Sequence, residues 1–152
     1  MTYLDFTNGI NTAQSTLRTL LFNNATVASL TSMVLDGSPS ISDEKTAYPY
    51  VLVHTPMVED ITLTTGPKPL YKSVYTFQIE IVGRNEGNVR QLVDAVRKTI
   101  MSNFPTTRAI GLFHPEIGRT RMSIGKTPSQ TGNPTIYNIT FPLRYNSYGS
   151  SP

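Results

Sequence analysis

The residue types that most often carry chemistry are few in this chain and poorly spaced for it. Cysteine is absent, which removes disulfides, thiolate metal sites and cysteine nucleophiles together. The two histidines, His54 and His114, have no partner at the spacing that brings two imidazoles to one metal. His54 falls in an apolar run, where a hydrogen-bonded structural role is expected, and His114 precedes Pro115 and reads as a loop residue. Carboxylates are adjacent at Asp43-Glu44 and Glu59-Asp60. General acid–base work needs two carboxyl groups in different environments, so that their pKa values separate; neighbours in polar stretches read as solvated charge. No Gly-x-Ser-x-Gly turn is present. Gly125-Lys126-Thr127 supplies the end of a phosphate-cradling loop, but Pro128-Ser129 follows it where a helix should start. Gly83 and Gly87 flank a strand-to-helix junction, a context that can bind anions, without the Gly-x-Gly-x-x-Gly spacing of a dinucleotide turn. Tyr71-Lys72 and Arg144-Tyr145, with Tyr148 beyond, could stack single-stranded bases. We expect no enzyme, no catalytic, cofactor-binding or metal-binding residues, and no cofactor.

The elements beneath these residues are clearer than any site. From Tyr71 to Ile81 the odd positions are Tyr71, Ser73, Tyr75, Phe77, Ile79 and Ile81, and the even ones are mostly polar, which predicts a strand with one face on a core. After Gly83–Gly87, apolar residues at Val89, Leu92, Val93, Val96 and Ile100 follow helical spacing, and Asn103-Phe104-Pro105 ends that helix. An N-terminal helix through Asn23 places Ile10, Ala13, Leu17, Leu20 and Leu21 on one face, and Thr26–Met33 adds a further turn. Tyr48–Thr55 reads as a central strand. Ile61–Thr65, the turn Gly66-Pro67-Lys68-Pro69 and the strand from Tyr71 make a hairpin long enough to project. Residues 106–118 look irregular. Arg119–Lys126 and Thr135–Tyr145 are the last strands, with Pro142 marking the second as an edge or bulged strand. The fold class is α+β: a mostly antiparallel, mixed sheet of about four to six strands packed against two main helices. Residues 1–152 read as a single domain, with an arm at 1–8 and a flexible tail at 146–152.

Bulk properties narrow the function classes. At 152 residues, 38% hydrophobic and 15% charged, the chain can bury a sizeable core. The net charge of +3 comes from scattered lysines and arginines, without the clustering of a nucleic-acid footprint. Met1–Asp5 has no basic leader before an apolar run, and no stretch is long enough to span a membrane; neither a signal peptide nor a membrane partner is expected.

An N-terminal helix, the strand Tyr48-Pro49-Tyr50-Val51-Leu52-Val53, a hairpin into Tyr75–Gly83, the helix Asn88–Met101 and the closing Phe141-Pro142-Leu143-Arg144-Tyr145 together resemble the tail terminator (tail completion, tail-to-head joining) proteins of tailed bacteriophages, over roughly residues 10–145. The resemblance implies a structural virion protein in the tail or neck, assembled in the host cytoplasm. It would form a homo-oligomeric, hexameric ring that caps the tail tube and ends its polymerisation. Its partners would be further copies of itself, the tail tube protein, a neck or head-completion protein, and a sheath protein if the tail contracts, with DNA passing through the lumen without specific recognition. The hairpin 57–74 and the loop 126–135 depart from compact members of that family. Contact residues must come from groups that the core does not claim: Glu59, Asp60, Lys68 and Lys72 on the hairpin, Arg119 and Arg121, Arg144, and Tyr148. Arginine favours bidentate carboxylate contacts, which ranks Arg119 and Arg121 above the lysines. A head-closure or other neck protein, and a small nucleic-acid-binding module, are the alternatives.

Overall fold

Two long strands carry the molecule. In the computed structural model, which describes residues 8–31, 33–36, 48–126 and 135–150, β4 (Leu70–Gly83) and β7 (Thr135–Ser150) lie antiparallel, in register from Leu70 opposite Ser150 to Gly83 opposite Tyr137. The free edge of β4 is shared by β2 (Tyr50–Val53) at one end and β3 (Met57–Thr62) at the other. The free edge of β7 is shared in the same way by β6 (Arg121–Lys126) and β5 (Phe113–Ile117). β1 (Val34–Asp36) adds in parallel to β2. The result is a seven-stranded mixed sheet, mostly antiparallel, in an α+β fold.

Alternation decides the inner face. Tyr75, Phe77, Ile79 and Ile81 of β4 and Ile139, Phe141, Leu143 and Tyr145 of β7 are buried, under α1 (Gly9–Asn23) and α3 (Glu86–Ser102). α1 offers Ala13, Leu17 and Leu21 at four-residue spacing, and α3 offers Val89, Leu92, Val93, Val96 and Ile100. Each of these Leu, Ile, Val and Phe side chains, fully buried, contributes about 1.5–3 kcal/mol. Asn85 starts α3, its side chain accepting from the Asn88 N–H at 3.1 Å. Gly83 is required there because a Cβ would stand 2.5 Å from Val89 Cγ2. Asn24 caps α2 (Ala25–Leu30) by accepting from the Thr26 and Val27 N–H groups. The Tyr145 phenol lies deep in this core, where burial pushes its pKa far above the usual tyrosine value against a small lowering by the Thr107 hydroxyl.

Several expectations change. Ile10 is 42% exposed instead of packed, because the buried stripe of α1 runs through Ala13, Leu17 and Leu21. Residues 106–118 are ordered: Pro105 sits in the first turn of α4 (Phe104–Ala109), where its missing N–H is tolerated, and β5 follows. β5, in the stretch read as irregular, raises the strand count among the described residues to seven. β7 is central, not an edge, and Pro142 falls in the gap between β6 and β5, where its carbonyl accepts from the Gly118 N–H at 2.8 Å. Residues 146–150 are not a flexible tail but the end of β7, because the long β4 offers them backbone partners from Val74 to Leu70. Residues 1–7 of the expected arm, most of the 126–135 loop and the last two residues lie outside the described residues.

Candidate functional site

The register sorts the proposed contact residues by face. On the outer face, away from α1 and α3, Glu59 lies opposite Val74, Ile61 opposite Lys72, Lys72 opposite Tyr148, and Thr76 opposite Arg144. Glu59, Lys72, Tyr148 and Arg144 therefore share one surface spanning β3, β4 and β7. Asp60 points to the other face and accepts from the Ser73 hydroxyl at 2.5 Å. Lys68 is exposed in the turn after β3. Arg121 also faces outward but lies opposite Thr140, eight residues along β7 from Tyr148, or about 27 Å at strand rise. Arg119 precedes it in the β5–β6 connection. The structure thus joins the hairpin residues to Arg144 and Tyr148, with Arg121 four residues beyond Arg144 on the same face and Arg119 between them in the β5–β6 connection.

The outer face also carries apolar groups. Met57 and Ile61 are 75% and 40% exposed, and Leu63 and Leu70, joined by a backbone hydrogen bond of 2.8 Å, extend the same row. Val74, between them on that face, is buried. Beyond β7, at the junction of α4 and β5, a cavity of about 420 Å³ is lined by Phe104, Arg108, Leu112, Phe113, His114 and Tyr148, among others. The Phe113 and Tyr148 rings lie 6.1 Å apart across its wall. Among the described residues no carboxylate lines it. Phe104 and Phe113 were missed because a phenylalanine beside a helix stop and one in an apparently irregular stretch give no periodic signal.

At the other end of the outer face His54 takes the structural role expected of it. Its Nε2 lies 2.8 Å from Glu80 Oε2, and Asn138 donates to the other oxygen of Glu80. This tie links β2, β4 and β7 across the sheet. Arg84, next to Gly83 at the strand-to-helix junction, stacks over Tyr48, 4.6 Å from the ring centre. Among the described residues no group of three or more His, Cys, Asp or Glu could hold a metal ion, and no helix is long and apolar enough to cross a membrane.

No family model matches the chain, and no curated protein matches it in sequence. The fold does have a counterpart among solved structures. A chain from the virion of a native gene transfer agent particle superposes with a TM-score of 0.63 at 17% identity, covering 95% of this chain and 100% of that one.

Proposed function

We propose that this protein is a structural component of a phage-type particle and, more narrowly, a tail terminator. A homo-oligomeric ring, hexameric as in the proteins it resembles, would sit on the tip of the tail tube and stop its growth. It would present its other side to a neck or head-completion protein, and to a sheath protein in a contractile tail. DNA would pass through the lumen without sequence recognition. What supports the broader reading is the likeness to a virion chain over 95% of this chain and 100% of that one; the narrower terminator role rests on the sequence resemblance. The surface agrees with it: exposed apolar and charged side chains share the outer face of the hairpin half, as expected of a subunit that buries that face against another protein. A cyclic ring needs two different patches per subunit, because each contact in it is heterologous.

Light scattering on the purified chain, followed by negative-stain images with tail tubes, tests the reading. The expected result is a hexameric ring, free or on tube ends, with tube growth halted. A chain that stays monomeric alone and leaves tubes bare overturns it. Rings that ignore tubes and bind head-side assemblies would move the assignment to head closure. Oligonucleotide binding that falls steeply with salt would instead identify a nucleic-acid module.

A further inference from the structure

The hairpin half of the sheet has two unlike side edges. One is β3, which pairs with β4 alone. It carries Glu59 and Asp60 and no basic residue, and it exposes Met57 and Ile61. The opposite edge is β5 with α4 beside it. Arg108, Arg144 and Arg119 stand on that flank against one carboxylate, Glu116, which lies opposite Arg144 in register. Among the described residues none of these charged groups is in an ion pair; the pairs present are Arg18 with Asp36, His54 with Glu80, and Arg90 with Glu86. The lysines of the hairpin do not cancel the acidic edge, since Lys68 is at the tip and Lys72 is one strand further in.

Both edges present these groups on one face. Met57, Glu59 and Ile61 pair with Thr76, Val74 and Lys72, which pair in turn with Arg144, Asn146 and Tyr148. A second copy placed beside the first, with its sheet running on in the same sense, therefore brings its Met57–Ile61 row to the Phe104–Phe113–Tyr148 cavity. It also brings Glu59 toward Arg108 and Arg144. The β5 edge is blunted against simple strand addition: Pro115 has no N–H, His114 has φ of 57°, and the register shifts between Phe113 and Glu116. Side chains, not a continued backbone ladder, must make the contact.

We propose that β3 of one copy seats on the α4–β5 flank of the next, with the exposed apolar side chains of β3 filling the 420 Å³ cavity and Glu59 paired with Arg108 and Arg144. This inference rests on the ring reading and names the contact that would close it. Hydrophobic filling supplies the attraction, and the desolvated charge pair sets which edges meet. Because the two patches differ, the contact repeats around a closed ring.

Charge reversal tests it in the full chain, with circular dichroism to verify the fold of each variant. Glu59→Arg and Arg144→Glu alone should each raise the concentration for half-assembly about ten-fold or more. The two changes on one chain should restore it. An equal mixture of the two single variants should also assemble, because alternating copies then meet with opposite charges at every contact. Phe104→Ser should weaken assembly without altering the fold, since that ring is half exposed. A wild-type ring that either single reversal leaves intact, or a mixture that fails to recover, overturns the contact while the ring reading stands. A wild-type chain that never assembles, in solution or on tube ends, overturns both.

Discussion

The two ends of the β4–β7 pair make an instructive contrast. Both are built from the same two strands, in unbroken register and with the same alternation. At one end Phe77, Ile79 and Ile81 meet Phe141 and Ile139 under α1 and α3, and the apolar side chains are buried. At the other end β3 joins, the apolar residues Met57, Ile61, Leu63 and Leu70 turn to the opposite face, and all four are exposed. α3, at seventeen residues, is about 25 Å long, whereas the fourteen residues of β4 span about 47 Å. One helical layer cannot cover both ends. The helix-covered end accounts for why the domain folds, and the uncovered end is where surface is left for a partner.

Breaking the covered end should have the largest effect. Phe77→Ala removes a fully buried ring that packs edge-on to Tyr145, with centroids 6.1 Å apart, and should cost about 3–5 kcal/mol in denaturant unfolding. A loss under about 1 kcal/mol would mean that the core does not depend on this strand face.

A smaller effect, confined to alkaline solution, tests the same end. The folded state holds the Tyr145 phenol protonated well beyond its ordinary pKa. The unfolded chain loses that proton first as pH rises above about 10. The stability contributed by the neutral phenol is therefore complete below that pH and is lost above it. Tyr145→Phe should flatten the fall in stability above pH 10 relative to wild type, with little change at pH 7. Parallel curves for the two proteins would refute the burial argument.

The smallest expected effect on folding lies at the hairpin. Ile61→Thr and Leu63→Thr keep β-branched or strand-compatible residues on an exposed face, and each should change unfolding free energy by no more than about 0.5 kcal/mol. A loss comparable to that of Phe77→Ala would show the hairpin to be part of the core and would end the contrast.

Much of the fold was legible because it rests on short-range periodicity. The stripes of α1 and α3 and the alternation of β4 and β7 fall where the spacing places them, with Ile10, exposed at a helix end, and Leu20, half-buried, the exceptions. Pro142 misled because proline in a strand signals an edge, whereas a central strand tolerates it where two short neighbours leave a gap. Asn146–Ser150 misled because small polar residues say nothing about a partner strand far away in sequence. For the candidate surface, Glu59, Lys72, Arg144 and Tyr148 could be chosen by elimination, as groups the core did not need. Their meeting on one face, and the placing of Arg121 on that same face beyond Arg144, could not.

The sequence by itself determined the strand and helix periods, the absence of cysteine chemistry, and the membership of the main core. It could not say which way Ile61 and Leu63 face. A period of two divides residues into two sets and is indifferent to which set is inside. That choice depends on what packs against each face, and only the tertiary structure supplies it, by setting α1 and α3 over one end of the sheet and leaving β3 uncovered at the other.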